Sequence, residues 1–346
     1  MRTEAAVLFE LNQPLRQVTL ELPDLKPGQL LIEVAYSGVC HSQLHEVRGR
    51  RGPDRFLPHT LGHEGSGVVQ AVGPQVSKVR PGDRVVLTWI KGQGADVPAT
   101  QYRDRSTTIN SGALSTFMRH TITCENRVVP LPPEMPLREA ALLGCALPTG
   151  AGVVLNTAAM PSGASLAIFG LGGIGLSALL AARLREARPL IAVDVVEQKL
   201  AEARRLGATH AVNARECDAV AAIFELTDGR GVDYAIEAVG RRETMEAAFR
   251  CVRASGGLCV LAGNLPHGEQ ISIDPFDLIR GKRIVGTWGG ESRPDDDIPR
   301  YAQWYLEGRL PLAELITREY RLDEINTALD DMEQGRLSRA LVNMAA

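Results

Sequence analysis

The chain has 346 residues, with 38 Lys and Arg against 41 Asp and Glu, and a formal net charge of -3. Hydrophobic residues at 45% and charged residues at 23% suit a globular protein of two domains, and the near-balance of charge gives nucleic acid or an anionic membrane no electrostatic hold. The six cysteines (Cys40, Cys124, Cys145, Cys217, Cys251, Cys259) include no CxxC pair, and MRTEAAVLFE lacks the apolar centre of an export signal, so reduced thiols in a cytoplasmic protein are expected.

The first part of the chain reads as short strands parted by turns. Ala5–Phe9, Gln29–Val39, Gly65–Val72 and Arg84–Leu87 are apolar or β-branched, and Lys26-Pro27-Gly28 and Arg80-Pro81-Gly82-Asp83 mark turns between them. From Ala140 to Ala182 no residue is charged, which raises the question of a membrane span. Pro148, Pro161 and clustered glycines interrupt that stretch, with Asn156, Thr157 and Ser162 as polar punctuation, so buried turns, strand and helix are expected instead.

After Ser162 strands and helices alternate. Ser165–Phe169, Leu190–Val195, Val232–Val239, Gly257–Ala262 and Arg283–Thr287 are candidate strands, while Leu176–Arg188 and Glu197–Leu206 read as helices. Such alternation predicts a parallel sheet covered by helices. Beyond Trp288, helices are expected near Pro299–Glu307 and Leu322–Gln334, flanking a strand-like Leu315–Tyr320. Asp295-Asp296-Asp297 is explained as a solvated helix N-terminus.

One motif sits where its chemistry requires. FGLGGIGLS places Gly170, Gly172 and Gly175 at G-x-G-x-x-G spacing, directly after a candidate strand and at the start of a helix, and Asp194 in LIAVDV follows roughly 20 residues on. Gly170 permits a tight turn, Gly172 lets the backbone approach a pyrophosphate, and Gly175 lets helix and sheet pack closely. A carboxylate at Asp194 can accept hydrogen bonds from both ribose hydroxyls and would repel a 2′-phosphate, favouring NAD over NADP.

GVCHSQLHEVRG crowds Cys40, His41 and His45 into six positions, LPHTLGHEGSGVV carries His63 and Glu64, and LLGCALPTGAG carries Cys145. With the FGLGGIG fingerprint, VDVVEQK and LSRALV in order, these motifs resemble the zinc-dependent medium-chain alcohol dehydrogenase family nearly end to end. The resemblance implies a β-rich GroES-like catalytic domain over 1–150 and 288–346, and a doubly wound Rossmann domain binding NAD over 151–287. It implies that Cys40, His63 and Cys145 hold one catalytic zinc, a donor set of two thiolates and one imidazole that leaves a fourth position open.

The same resemblance gives the clustered residues separate duties. Ser42 and His45 would form a proton relay, from alcohol to the Ser42 hydroxyl and through the nicotinamide ribose to His45; His41 would face the cofactor pyrophosphate. Glu64 would sit behind the zinc, Thr149 would orient the nicotinamide, Lys199 would meet the adenosine ribose, Arg339 would contact a cofactor phosphate, and Trp89 would narrow the substrate pocket. The partner is then a small alcohol, aldehyde or ketone, and the assembly a homodimer or homotetramer paired through the nucleotide domains, with Arg283–Trp288 a candidate sheet edge.

Two departures stand out. Many relatives hold a structural zinc with four cysteines after the Pro-Gly-Asp turn, and LTWIKGQGADVPATQYRDRSTTINSG has none, so one zinc per chain is expected. Relatives often carry aspartate where this chain has Gln43, which could accept the same bond from the ligand histidine without adding charge. Two other readings remain at this level: a zinc-free NADPH-dependent quinone or enoyl reductase of the same architecture, and a catalytically silent nucleotide-binding protein. The ligand trio and Asp194 oppose the first; the joint presence of ligands, relay and fingerprint opposes the second.

Overall fold

The computed structural model describes residues 1–346. In chain order the first part forms β1 (Arg2–Leu8), β2 (Arg16–Glu21), β3 (Gln29–Val39), α1 (His41–Val47), β4 (His59–Thr60), β5 (Glu64–Val72) and β6 (Arg84–Thr88). It continues with β7 (Tyr102–Asp104), β8 (Thr107–Ile109), β9 (His120–Cys124), β10 (Val128–Pro130) and α2 (Leu137–Ala140). The second part is α3 (Ala146–Gly152), β11 (Leu166–Phe169), α4 (Gly173–Leu184), β12 (Leu190–Asp194), α5 (Glu197–Leu206), β13 (His210–Asn213) and α6 (Ala219–Leu226). After it come β14 (Tyr234–Glu237), α7 (Arg242–Cys251), β15 (Leu258–Leu261), α8 (Pro275–Ile279) and β16 (Arg283–Gly286). The chain ends with α9 (Pro294–Leu306), β17 (Arg318–Arg321), α10 (Ile325–Glu333) and β18 (Ala340–Asn343).

Two compact units result, Met1–Cys145 with Arg293–Ala346, and Ala146–Ser292. The expected boundaries after 150 and before 288 fall inside the second unit, because α3 and the Gly289–Glu291 turn pack within it: Ser292 Oγ donates to the Pro148 carbonyl at 2.7 Å. The first unit is built on two sheets, one ordered β4-β1-β2-β7-β8 and one ordered β10-β6-β5-β3-β18-β17, with β9 also paired to β3. Inward residues such as Leu30, Ile32, Val69, Val85, Leu87, Phe117 and Val342 form its core. The chain's last strand returns to pair antiparallel with β3, placing Ala340 opposite Val39. Arg48 ties α1 to α10 through Glu333 at 2.8 Å and Asp330 at 2.6 Å.

In the second unit six parallel strands run β13-β12-β11-β14-β15-β16, the doubly wound order in which the chain reverses direction across the sheet beside β11. Their side chains are buried on both faces (Ala167, Ile191, Ala235 and Cys259 on one, Ile168, Ala192, Ile236 and Val260 on the other), as helices on either side of a parallel sheet require. No single helix in the chain is long and apolar enough to cross a membrane.

β3 and α5 have the bounds the sequence predicts; the other elements shift at one or both ends, three of them for plain physical reasons. α4 stops at Leu184 because Glu186 takes a left-handed conformation (φ 54) and Pro189 disfavours helix before it. α9 starts at Pro294, which takes the first-turn position that the sequence suggested for Pro299. Leu312–Leu315 coils into a 3-10 turn that buries Leu312 and Leu315, so β17 begins only at Arg318. Only Asp296 of the acidic run is exposed. Asp295 bonds the Gln93 amide and pairs with Lys78, and Asp297, 2% exposed, pairs with Arg300, so the run fastens the unit as well as opening a helix.

Candidate active site

β3 delivers Cys40 as the N-cap of α1, and Cys145 ends the 3-10 turn Ala141–Gly144. His63 follows Gly62, whose φ of 90 and close neighbours admit no side chain: a Cβ there would lie 2.3 Å from Thr116 Oγ1 and 2.7 Å from the Phe117 amide nitrogen. This turn points the imidazole inward, and the ligand atoms of Cys40, His63, Glu64 and Cys145 all lie within 4.8 Å of one another. His63 Nε2 is 3.2 Å from Cys145 Sγ.

The electrostatics suit a cation. The Cys40 thiol is held well below its ordinary value, first by the hydrogen bond from the Cys145 thiol and then by His63 and the positive Arg339, against the effect of burial. Cys145 is pushed well above its ordinary value, first because its proton serves that bond and then by burial. Burial alone would lower His63, but its hydrogen bond to Cys40 and the charges of Cys40 and Glu64 raise it. Two thiols sharing a proton beside an imidazole are a donor set that a soft divalent cation such as zinc fits, since it displaces the proton and satisfies both sulfurs.

Glu64 is fully buried and Arg339 only 4% exposed, and the two form an ion pair. Arg339 Nη1 also donates to the Val39 carbonyl at 3.1 Å. The guanidinium expected at a cofactor phosphate is therefore engaged behind the metal cluster, carried there by the pairing of β18 with β3. Gln43, 1% exposed, is oriented opposite to expectation: its Oε1 accepts the Cys40 amide at 2.9 Å and its Nε2 faces His63 Nδ1 at 2.8 Å. The Cys40 amide can only donate, so the carboxamide oxygen must turn toward it.

Of the remaining predicted residues of this unit, three lie on α1 and one beside His63. The Ser42 hydroxyl is buried without a protein partner, as a relay group awaiting a substrate proton would be. His45 is half-buried on α1 and lowered by burial and by Arg50 and Arg51, while His41 is exposed. Trp89 sets its ring 6.3 Å from that of His63, edge-on.

In the other unit β11 leads into the glycine turn. Gly170 has φ 91, and a Cβ on Gly175 would fall 1.8 Å from the Gly170 carbonyl oxygen, so that turn and α4 can meet only at glycine. Around Gly172 nothing lies within 4 Å of where a Cβ would stand, which leaves the room a pyrophosphate needs at the start of α4. Asp194 ends β12 with Oδ2 accepting the Leu171 amide at 2.8 Å and Oδ1 accepting the Val195 and Val196 amides at 2.7 and 3.0 Å. Three of the carboxylate's roughly four acceptor sites are thus filled, and Oδ2 keeps one for a ribose hydroxyl. Lys199 lies in the first turn of α5, and the Thr149 hydroxyl is buried without a partner.

Sequence reasoning passed over Glu237. It ends β14 in register with Phe169 of β11, is fully buried, and accepts the Val239 and Gly240 amides and the Thr244 hydroxyl on Oε1. Its signal was an acidic residue closing the apolar strand Tyr234–Glu237 at the sheet end where the glycine turn lies.

Known proteins share this architecture. Residues 26–133 match the alcohol dehydrogenase GroES-like domain, and residues 173–307 match the zinc-binding dehydrogenase family. The S-(hydroxymethyl)glutathione dehydrogenase of Paracoccus denitrificans is 32% identical, over 99% of this chain and all of that protein. The chain belongs to the zinc-dependent medium-chain alcohol dehydrogenase family. An alcohol dehydrogenase class-3 of Cereibacter sphaeroides is likewise 32% identical, over 99% of this chain and all of its own length. Among solved structures, an alcohol dehydrogenase zinc-binding domain protein from Burkholderia ambifaria superposes with a TM-score of 0.92 at 34% identity. The benzyl alcohol dehydrogenase of Acinetobacter calcoaceticus gives 0.90 at 30%, and each of these two alignments covers 99% of both chains.

Proposed function

We propose that the protein is a zinc-dependent, NAD-linked dehydrogenase that interconverts an alcohol with an aldehyde or ketone. The convergence of Cys40, His63 and Cys145 within 4.8 Å carries this reading. Their two sulfurs and the His63 Nε2 would hold zinc and leave a position for substrate. Bound there, zinc supplies the Lewis acidity that brings a hydroxyl from about 15.7 toward about 7, and NAD supplies the hydride acceptor.

The chain's own groups do the rest. The Ser42 hydroxyl, buried with no competing partner, takes the proton of the alcohol, and His45 on the same helix passes it toward solvent. His45 is kept neutral by burial and by Arg50 and Arg51, so it is ready to accept that proton. Trp89 walls the substrate side of His63. For the cofactor, Gly170, Gly172 and Gly175 shape the pyrophosphate turn, Asp194 takes a ribose hydroxyl on Oδ2, and Lys199, Thr149 and the exposed His41 are the further contacts. A carboxylate fixed by three backbone amides repels a 2′-phosphate, which selects NAD.

A homodimer, or a homotetramer built from it, is the assembly we propose, with β16 as its support. This strand ends the six-stranded sheet, and Ile279 and Trp288, each 77% exposed, stand near it. The deciding assay is absorbance of NADH in the near ultraviolet, with primary, secondary, aromatic and polyol alcohols and a chelator-treated control. Reduction of NAD that the chelator abolishes supports the reading; reduction unchanged by metal stripping rejects it.

A further inference from the structure

Gln43 is held from both ends by the metal cluster. Its Oε1 accepts the Cys40 amide at 2.9 Å, its Nε2 faces His63 Nδ1 at 2.8 Å, and at 1% exposure both contacts are closed to bulk water. The carboxamide therefore donates to Nδ1, and a neutral imidazole that accepts at Nδ1 carries its single proton on Nε2. Nε2 is the nitrogen that points at Cys145 Sγ, 3.2 Å away, and so at the metal position. A ligand nitrogen must be bare. When a cation takes Nε2 the ring proton belongs on Nδ1, where it meets the NH₂ of Gln43, donor against donor.

We infer that metal binding at His63 requires the Gln43 carboxamide to turn over, giving up its bond to the Cys40 backbone. After the turn Oε1 accepts from His63 Nδ1, and the NH₂ group confronts the Cys40 amide, which is left without its acceptor at the first turn of α1. A carboxylate has no such conflict, because one oxygen takes the Cys40 amide and the other takes the Nδ1 proton. Gln43 is thus a positioning residue that weakens metal retention and links occupancy to the N-terminus of α1. This inference rests on the assignment of His63 as a metal ligand.

The test uses the full-length protein, stripped of metal and reloaded with zinc, beside the isosteric Gln43→Glu. Two readouts are taken, neither of them activity. In competition with a chromogenic chelator, Q43E holds zinc more tightly by about 10- to 100-fold. Amide exchange followed by NMR reports the Cys40 N–H relative to the Arg48 N–H, which bonds the Leu44 carbonyl at 2.9 Å and serves as a reference on the same helix. In the wild type, zinc speeds Cys40 exchange at least about tenfold against that reference, the loss expected for one broken bond; in Q43E zinc leaves it unchanged. An added negative charge alone would tighten zinc without moving the wild-type exchange ratio, so an unchanged wild-type ratio overturns the inference. Equal zinc retention by the two proteins also overturns it. Failure of both to take up zinc overturns the metal assignment itself, and the inference with it.

Discussion

Arg339 and Glu64 form an ion pair that is almost wholly removed from solvent, 4% and 0% exposed, beside Cys40 and Cys145. Gly38 makes room for it, since a Cβ there would stand 2.6 Å from Glu64 Cδ and 2.8 Å from Arg339 Nη2. Removing one member strands the other charge in the interior. Arg339→Leu is expected to lower stability by about 3–5 kcal/mol, while the double variant E64L/R339L recovers most of that loss. Chemical denaturation at neutral pH checks both; a double variant less stable than R339L would show that the pair contributes more than mutual neutralisation.

One zinc per chain is expected by elemental analysis, and two would contradict it. The cysteine-free stretch 87–112 is secured by carboxylates instead. Glu125 accepts the Ser77 and Lys78 amides at 2.6 Å each and the Ala95 amide at 3.0 Å, while Asp295 accepts the Gln93 amide at 2.6 Å.

Glu125 makes that attachment pH-dependent. Burial works to raise its carboxyl, but the amides of Ser77, Lys78 and Ala95 outweigh burial and hold it below the ordinary value. A folded value beneath the unfolded one, about 4.3, contributes stability that is present above pH 4.3 and lost as pH falls through the folded value. Glu125→Gln should cost about 1.5–3 kcal/mol near neutrality and flatten that acid limb in melting curves taken from pH 6 downward. An unchanged limb would assign the acid sensitivity to other groups.

Asp194→Asn keeps the size of the side chain and removes its charge. With NAD, kcat/KM should fall about 10- to 100-fold, the worth of a charge-assisted bond to the ribose, and the preference for NAD over NADP should shrink. Steady-state kinetics with both cofactors decide; a preserved ratio would remove Asp194 from the selection of cofactor.

Sedimentation velocity should find an even-numbered assembly for the wild type and a monomer for Ile279→Lys combined with Trp288→Lys, because lysine blocks pairing at a sheet edge. An unchanged assembly would place the contact on another face.

What the sequence determined by itself was whatever depends on neighbours along the chain. Glycine spacing after an apolar strand is a local device, so Gly170, Gly172, Gly175 and Asp194 were legible before any fold was known, as were the bounds of β3 and α5. The convergence of Cys40, His63 and Cys145 was legible only through resemblance to a family, because nothing local brings the three to one point. The tertiary structure decided everything that needed a partner distant in sequence. It took Arg339 to Glu64 by pairing β18 with β3, buried Asp297 against Arg300, and turned the Gln43 oxygen to the Cys40 amide, so that its nitrogen faces His63. A side chain's charge and donors are written in its residue type, but which of them are satisfied, and by what, is settled only when burial removes water as an alternative.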